Sequence, residues 1–497
     1  MQPRPRPARR SSPGARLMAV LLTALLAVVA AACGVRDEDG SSPTTAARSG
    51  KDDKPDLPDC PVDALDDATG VVDVELWHGM NAESENNLNA LAEKFNATQD
   101  KVRVQVRNQG VSYAEVLKKF VSAIPSRQLP AIVYLEDTTL RQMVDSGTLL
   151  PAQACEEADG FSTGQLPAVR SYYTADGVYW PGYTNVSEPV LYFNVNHFKR
   201  AGLDPEDPPQ TLDEITEAAR KLKAAGIKAP LSLVLNSWFV ESWINGAGGS
   251  VVNKDNGRDG IADKSTFDND VTREVYTWIK AMADEGLLEG HSATDGQINQ
   301  YLAVAQQNSS MLIETSTAAT TIKAVLGGSA DVNIDTGSAD LSGIVPADTA
   351  FPGVEKPAQV RVSGGAFFLT NTVSAEQQAG AWEFMKFMWQ TENQVAWHLV
   401  GSYLPTTQTA ANAPEVTAYW ADDLAGRLLK VGYDQLLQVD PQRPGPQIGP
   451  YVDYAQAIKN SLDRLVLQGD SVDSVVKQAD ADIQTALTRY AEDNASG

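Results

Sequence analysis

Glu136 and Asp137 close a short apolar run, Ala131 to Leu135, and paired carboxylates raise the question of acid–base hydrolysis. Glycoside hydrolysis needs two carboxyl groups facing each other across a cleft at a set separation. Neighbours on a strand point to opposite faces, so this pair is wrongly placed for that work. Glu136 suits a different role, accepting hydrogen bonds from hydroxyl groups. The four histidines are His78, His197, His291 and His398, and none is spaced with another for metal binding. His78 stands at a strand end and is read either as a site residue or as a satisfied structural histidine. The sequence lacks a G-x-S-x-G elbow, an H-E-x-x-H helix, a P-loop and a G-x-G-x-x-G after a strand. Asp255, Asp259 and Gly260 fall at positions 1, 5 and 6 of a calcium loop, but Gly257 gives no side-chain ligand and Thr266 replaces the bidentate glutamate. Residues 251–263 are therefore expected to be a polar surface turn. No metal or cofactor is expected. Reversible capture of a polar solute asks instead for aromatic faces and fixed hydrogen-bond partners, and the sequence offers both.

Three cysteines bear on where the protein works. Residues 1–16 carry five arginines and no acid, and Leu17 to Ala32 is an uncharged, mostly apolar run short for a membrane span. That is a secretory signal. It ends in small residues, Val29 to Ala32, directly before Cys33, which resembles a lipoprotein cleavage and acylation site, although Ala30 stands where a larger apolar residue is usual. Ordinary cleavage and an uncleaved anchor are the other readings. Cys60 and Cys155 then remain as an even pair without C-x-x-C spacing, which in an exported protein reads as a disulfide ahead of a metal site or two free thiols. Asp37 to Pro58 is rich in Ser, Asp, Lys and Pro and is expected to be a disordered tether, with 34–70 as its outer bounds. The formal charge of −24 becomes about −29 once the five signal arginines are removed, which argues against nucleic acid or an anionic membrane surface as partner.

Beyond the tether the chain alternates strands and helices. Val72, Val74 and Leu76 alternate with acids and lead into Trp77-His78, Leu88, Leu91, Ala92 and Phe95 form a helical stripe, and Val102, Val104 and Val106 alternate again. That is a βαβ unit, repeated once by the helix opening at Tyr113 and the strand ending at Glu136. Ligands collect at the carboxyl ends of strands in open α/β sheets, which singles out Trp77, His78, Glu136 and Asp137. From Tyr183 an uncharged run leads to Pro189 in a crossing segment, and Val190 to Phe193 reads as a buried strand. Thr211 with Glu214 forms a capping box for the next helix. Leu231 to Leu235 reads as a strand leading to Trp238, Val304 to Thr317 contains another ending near Glu314 to Ser316, and Leu341 to Phe351 is expected to recross. Val360 to Thr370 then returns as a strand, Ala375 to Trp389 is an apolar-rich helix, and the final helices follow the Pro-rich loop 441–450.

Pro189 to Asn194 with Ala201 to Pro205, and Gly401 to Pro405, are very similar to motifs of the bacterial extracellular solute-binding proteins of ABC transporters, which capture maltose-like sugars and glycerol phosphates. The resemblance covers nearly all of the chain after residue 70. It implies an α/β, two-lobed periplasmic-binding-protein-like fold (type II) with a three-crossing hinge, 71–186 and 350–404 forming one lobe and 187–349 and 405–497 the other. By the same resemblance Tyr113, Glu136, Ser187, Trp238, Ser316, Gly364 or Gly365, and Tyr403 face ligand. It implies a monomer carrying out no reaction, lipid-anchored through Cys33 to the outer face of the cell membrane, and serving permease subunits and a cytoplasmic ATPase. The glycerol-phosphate binders carry an arginine after Pro-Gln-Ile, where this sequence has Gly449 after Pro446 to Ile448, and a tryptophan where Leu235 stands. A guanidinium is the natural clasp for a phosphate. A neutral sugar or oligosaccharide is therefore expected, with glycerol phosphate or a glycerophosphodiester as the alternative should Arg361 or Arg443 compensate. A glycan-processing enzyme is the rival class.

Overall fold

In this computed structural model the residues described are 55–80, 82–294, 298–327 and 343–495. The signal segment, Cys33 and the tether up to residue 54 lie outside them.

Thirteen strands are found among the described residues, numbered in chain order: β1 (Val72–His78), β2 (Val102–Asn108), β3 (Ile132–Glu136), β4 (Leu149–Leu150), β5 (Thr174–Ala175), β6 (Val178–Tyr179), β7 (Tyr183–Thr184), β8 (Pro189–Asn194), β9 (Leu231–Leu235), β10 (Leu288–Ser292), β11 (Met311–Thr315), β12 (Pro346–Ala350) and β13 (Gly365–Thr370). They form two sheets and a hairpin, β5–β6. The first sheet runs β2-β1-β3-β13-β4 with β7 also on β13, and the second runs β10-β9-β11-β8-β12. β1, β2 and β3 pair in parallel, as expected for βαβ units, while β13 returns antiparallel to β3. Strands buried on both faces read as mostly apolar runs, and β3, β9 and β13 are buried along almost their whole length.

Local signals hold where expected. Thr211 caps the helix Leu212–Ala224 with Glu214 closing the box. Pro189 opens β8, where its missing N–H costs no ladder bond in the strand interior. In the helix Ala375–Met388, Trp382, Phe384, Met385 and Met388 are all core. Residues 251–263 make a turn in which Lys254, Asp255 and Asn256 all have left-handed backbone.

Cys60 and Cys155 are joined by a disulfide that spans 95 residues. It fixes the chain well before the expected end of the tether, since Val62–Leu65 already forms a helical turn and Leu65 is buried. The second crossing also differs from expectation. Residues 346–350 are a strand on β8, so the passage runs from Phe351 to Gly364. Three crossings meet side by side: Val186 bridges Leu404, and Ser187 bridges Ser363. After Leu404 the chain stays by the first sheet's helices, with Trp420 Nε1 donating to His398 Nε2 at 3.0 Å, before the helix Leu424–Leu436 packs on β8 and β12. The helix Tyr451–Leu467 covers β9 and β10, and the last helix, Val472–Ala495, packs on it and on the helix Asp270–Asp284. No helix of the described residues is long and apolar enough to cross a membrane.

Candidate functional site

β3 and β13 run antiparallel with Gly365 opposite Glu136, so the end of one and the start of the other meet where the crossings converge. Both glycines here are dictated by close approach. A Cβ on Gly365 would lie 2.1 Å from the Tyr134 hydroxyl, and one on Gly364 would lie 2.3 Å from the Asn185 carbonyl. The space they leave lets Tyr134 form a hydroxyl cluster. Tyr113 and Tyr134 hydroxyls are 2.8 Å apart, Asn185 Nδ2 donates to Tyr134 at 2.7 Å, and Tyr403 lies close enough to both tyrosines to act on them electrostatically. Burial raises the pKa of Tyr113 and Tyr134 well above the ordinary value, so both stay neutral donors and acceptors.

One residue on, Asp137 is buried and ties the first sheet to the crossing. Its Oδ1 accepts from the Ser363 hydroxyl and the Gly364 N–H, both at 2.9 Å. Its Oδ2 accepts from Arg361 Nη1 at 2.6 Å and from the Tyr172 hydroxyl at 2.5 Å. Arg361, only 2% exposed, lies across to the second sheet's side, with Nε 2.8 Å from Glu241 Oε2 as an ion pair off the N–H direction. Tyr451 completes the ring, donating to Glu241 at 2.7 Å and accepting from Arg361 Nη2 at 3.3 Å. Trp238 Nε1 donates to the Arg361 carbonyl at 2.9 Å, which stands its half-buried ring at the edge of this cluster.

Glu136 shares that field. Burial, and then the neighbouring Asp137 carboxylate, push its pKa up to about 7, with Arg361 pulling the other way. Three carboxyl groups thus face a single guanidinium. A small cavity of about 10 Å³ lies beside them, lined by Asp137, Thr138, Arg141, Tyr172, Gln447 and Tyr451. An apolar cavity of about 40 Å³ lies under Tyr192, Phe193, Leu312 and Ile322 on the second sheet and shares no residue with the cluster.

The residues expected at the site fall into two groups. Tyr113, Glu136, Trp238 and Tyr403 are partly exposed around the polar cluster. Ser187 and Ser316 are buried and bind backbone. Ser187 exchanges both backbone hydrogen bonds with Ser363, and Ser316 does the same for Glu188, its N–H donating to the carbonyl at 2.7 Å and its hydroxyl accepting from the Glu188 N–H at 3.2 Å. Tyr134, Asn185, Tyr172, Glu241 and Tyr451 were not singled out from sequence as site residues. The polar groups that Tyr134 and Glu241 bring into apolar runs were the available signal. His78 is fully buried, with Nδ1 accepting from the Met80 N–H at 3.1 Å, and burial lowers its pKa. Among the described residues no cluster of His, Cys, Asp and Glu is arranged to hold a metal ion.

Residues 90–423 match the family model for bacterial extracellular solute-binding proteins. The chain belongs to that family. This solute-binding protein is 26% identical over 349 residues to the sn-glycerol-3-phosphate-binding periplasmic protein of Pectobacterium atrosepticum, covering 69% of this chain and 75% of that one. It is 29% identical over 347 residues to the protein of the same name from Brucella abortus, covering 67% and 74%. Its fold matches the sugar-binding protein MalE of Xanthomonas citri with a TM-score of 0.69 at 17% identity, over 84% of this chain and 98% of that one. It also matches UgpB of Mycobacterium tuberculosis, solved with glycerophosphocholine, with a TM-score of 0.67 at 18% identity, over 84% and 98%. The solute-binding protein thus has the two-lobed binding-protein fold and is the exported solute-binding component of an ABC importer, not an enzyme.

Proposed function

We propose that the solute is a neutral sugar or oligosaccharide, held between the lobes by Tyr113, Glu136, Trp238 and Tyr403. The observation that carries this reading is the charge at the lobe boundary, where Arg361 is held between Asp137 and Glu241 with Glu136 beside them. A phosphate there would meet excess carboxylate, and freeing Arg361 for it would leave buried carboxylates unpaired. Arg443 is similarly engaged, donating to the Asn245 carbonyl. At Gly449, where the glycerol-phosphate binders carry arginine, the Tyr490 ring lies 2.1 Å from the place of a Cβ. Tyrosine hydroxyls and Glu136 read sugar hydroxyls, while the rings cover the apolar faces of the sugar. Ser187, Ser316, Gly364 and Gly365 act through the backbone, setting how the crossings and strand ends meet. The lobes are 71–186 with the β13 segment, and 187–349 with the C-terminal helices.

Ligand contacts to both lobes favour the closed state, which docks on the permease. Acylation at Cys33 would hold the monomer at the outer face of the membrane, two or more chains giving a stable anchor. Glycerol phosphate or a glycerophosphodiester is the second reading, favoured by the curated relatives' ligand.

The test is a melting-point screen of the mature chain carrying Cys33→Ser against neutral saccharides, glycerol 3-phosphate and glycerophosphodiesters. A ligand that binds only the native state stabilises it by about 2.7 kcal/mol at a hundredfold excess over its Kd. A shift with a saccharide, lost in both Tyr113→Ala and Trp238→Ala, is the expected result. A shift with phosphate compounds alone overturns the neutral-sugar reading.

A further inference from the structure

Arg258 reaches across the boundary between the two lobes at a place that shares no residue with the proposed ligand contacts. From the second sheet's side, its Nε donates to the Gly445 carbonyl at 2.8 Å, which fixes the guanidinium in its own lobe. Its Nη1 then donates to three carbonyls on the first sheet's side, Ser171 at 3.3 Å, Tyr172 at 2.9 Å and Thr174 at 3.1 Å. Ser171 and Tyr172 close the helix Pro167–Tyr172, where the last carbonyls run out of helical donors and a cation is favoured, and Thr174 opens β5. Gln447 supports the same contact, its Nε2 donating to Thr174 O at 2.8 Å and Tyr172 O at 3.2 Å. The Ser171 hydroxyl adds a bond back to the Pro441 carbonyl.

The backbone that presents Arg258 is left-handed over several residues. Lys254, Asp255 and Asn256 have φ of 54°, 53° and 56°, and Gly257 has 80°. Left-handed backbone is unfavourable for a residue with a side chain, and three in succession persist only where their surroundings hold them. Those surroundings are visible. Asn256 Oδ1 accepts from the Val251 N–H at 2.8 Å, its carbonyl accepts from the Gln447 N–H at 2.8 Å, and Lys254 Nζ reaches Ile261 O and Asp263. Gly257 is required, because a Cβ there would stand 2.0 Å from the Gln447 carbonyl. The turn and its buttress therefore carry both donors, Arg258 and Gln447, as one unit.

We propose that Arg258 is a positioning residue for solute capture: by bonding the carbonyls at Ser171–Thr174 it sets how far the protein lies toward the closed state before solute arrives. The proposal rests on the two-lobed binding reading but not on which solute is bound. No ion pair to Arg258 is found among the described residues; carbonyl oxygens and the Tyr172 ring, 5.5 Å away at its centroid, meet its charge with Asp255 in the surrounding field, and burial lowers its pKa to about 10. On opening, water replaces those carbonyls at little cost. The latch is thus close to balance, which suits an equilibrium that solute must be able to tip.

The test compares the mature protein with Arg258→Met, which keeps bulk and removes the donors, and with Arg258→Lys, which keeps the charge. Small-angle scattering without any ligand is the first readout, so its outcome does not depend on the sugar reading. Arg258→Met is expected to raise the radius of gyration, with Arg258→Lys in between and far-UV circular dichroism unchanged. With maltotriose as probe, Arg258→Met is expected to weaken Kd by about tenfold through faster dissociation, while saturating probe returns the radius of gyration to the wild-type value. If maltotriose fails to bind wild type, the neutral-oligosaccharide reading suffers and scattering alone decides the latch. An unchanged ligand-free radius of gyration in a folded Arg258→Met protein overturns the proposal. Should Arg258→Met fail to fold, Gln447→Leu, which removes two of the same carbonyl contacts, is read against the same criterion.

Discussion

Arg361 Nη1 lies 2.6 Å from Asp137 Oδ2, with both side chains buried, and the pair joins the end of a first-sheet strand to the crossing that brings the chain back from the second sheet. Glu241 holds the other edge of the same guanidinium, so one cation serves two buried anions from opposite sides of the boundary. Removing it leaves both anions uncompensated. Arg361→Met is expected to cost about 3–5 kcal/mol in urea unfolding, and adding Asp137→Asn and Glu241→Gln to recover part of that loss. A cost near zero for the single variant would mean that water already reaches the pair.

Glu188 gives a pH dependence of stability. It is fully buried in the first crossing, one oxygen accepts from Gln435 Nε2 at 2.8 Å, the other is unpaired, and burial pushes its pKa up to about 8. The folded state therefore holds a proton that the unfolded chain releases near the ordinary glutamate value of about 4.3. The unfolded chain binds fewer protons between those values, so this group makes stability fall as pH rises from about 4.5 to 8. Glu188→Gln is expected to flatten that fall and to be more stable than wild type at pH 8 by an amount that grows from pH 5, up to a few kcal/mol at about 1.4 kcal/mol per unit. Parallel stability–pH curves for the two proteins would contradict a neutral Glu188.

Glu136 sets a pH dependence of binding. As a carboxylate it accepts charge-assisted hydrogen bonds from sugar hydroxyls, and with its pKa raised to about 7 it is half protonated near neutrality. Affinity for the saccharide found in the melting-point screen is expected to rise through pH 7 and level off above pH 8. Below pH 6 it falls by up to about tenfold per unit. Glu136→Gln should bind more weakly with no such slope, as titration calorimetry at three pH values would show.

At Gly449 the question is space. Tyr490 donates to Asp145 Oδ2 at 2.7 Å while its ring covers the glycine. Gly449→Arg must displace that ring and is expected to lose about 1–3 kcal/mol of stability without gaining affinity for glycerol 3-phosphate. Tight glycerol 3-phosphate binding by the variant would show that the pocket can still form.

The disulfide bears on folding. Cys60→Ser with Cys155→Ser, or reduction of the wild type, is expected to lower stability by about 2–5 kcal/mol, read as a drop in melting temperature. An unaffected melting point would show that residues 60–155 are held by packing alone.

The elements themselves were written locally. Alternation in Val72–Leu76 and Val102–Val106, the capping box at Thr211 and Glu214, the proline opening β8 and the motifs at Pro189 to Asn194 and Gly401 to Pro405 act over a few residues, so they survive in one dimension. With the resemblance they carried, they sufficed for two α/β lobes and for the crossing near Ser187. They placed the second crossing early, because β12 is a strand only through its pairing with β8 and its own sequence, Pro346 to Ala350, carries little strand propensity.

What the sequence could not decide is which polar groups use each other up. Asp137, Arg361 and Glu241 are distant in the chain, and whether Arg361 is free for a ligand or consumed by neighbours depends on contacts 224 residues apart. The same holds for Ser187 and Ser316, whose hydroxyls are committed to backbone by the convergence of crossings, and for Arg258, whose three acceptors belong to the other side of the boundary. Periodicity and capping determined the local elements, since they are properties of neighbours, and the short motifs carried the family resemblance. The charge balance of the site and its latch belong to the tertiary structure, because Coulombic and hydrogen-bond partners are set by distance in space and by the burial that makes each unpaired group costly.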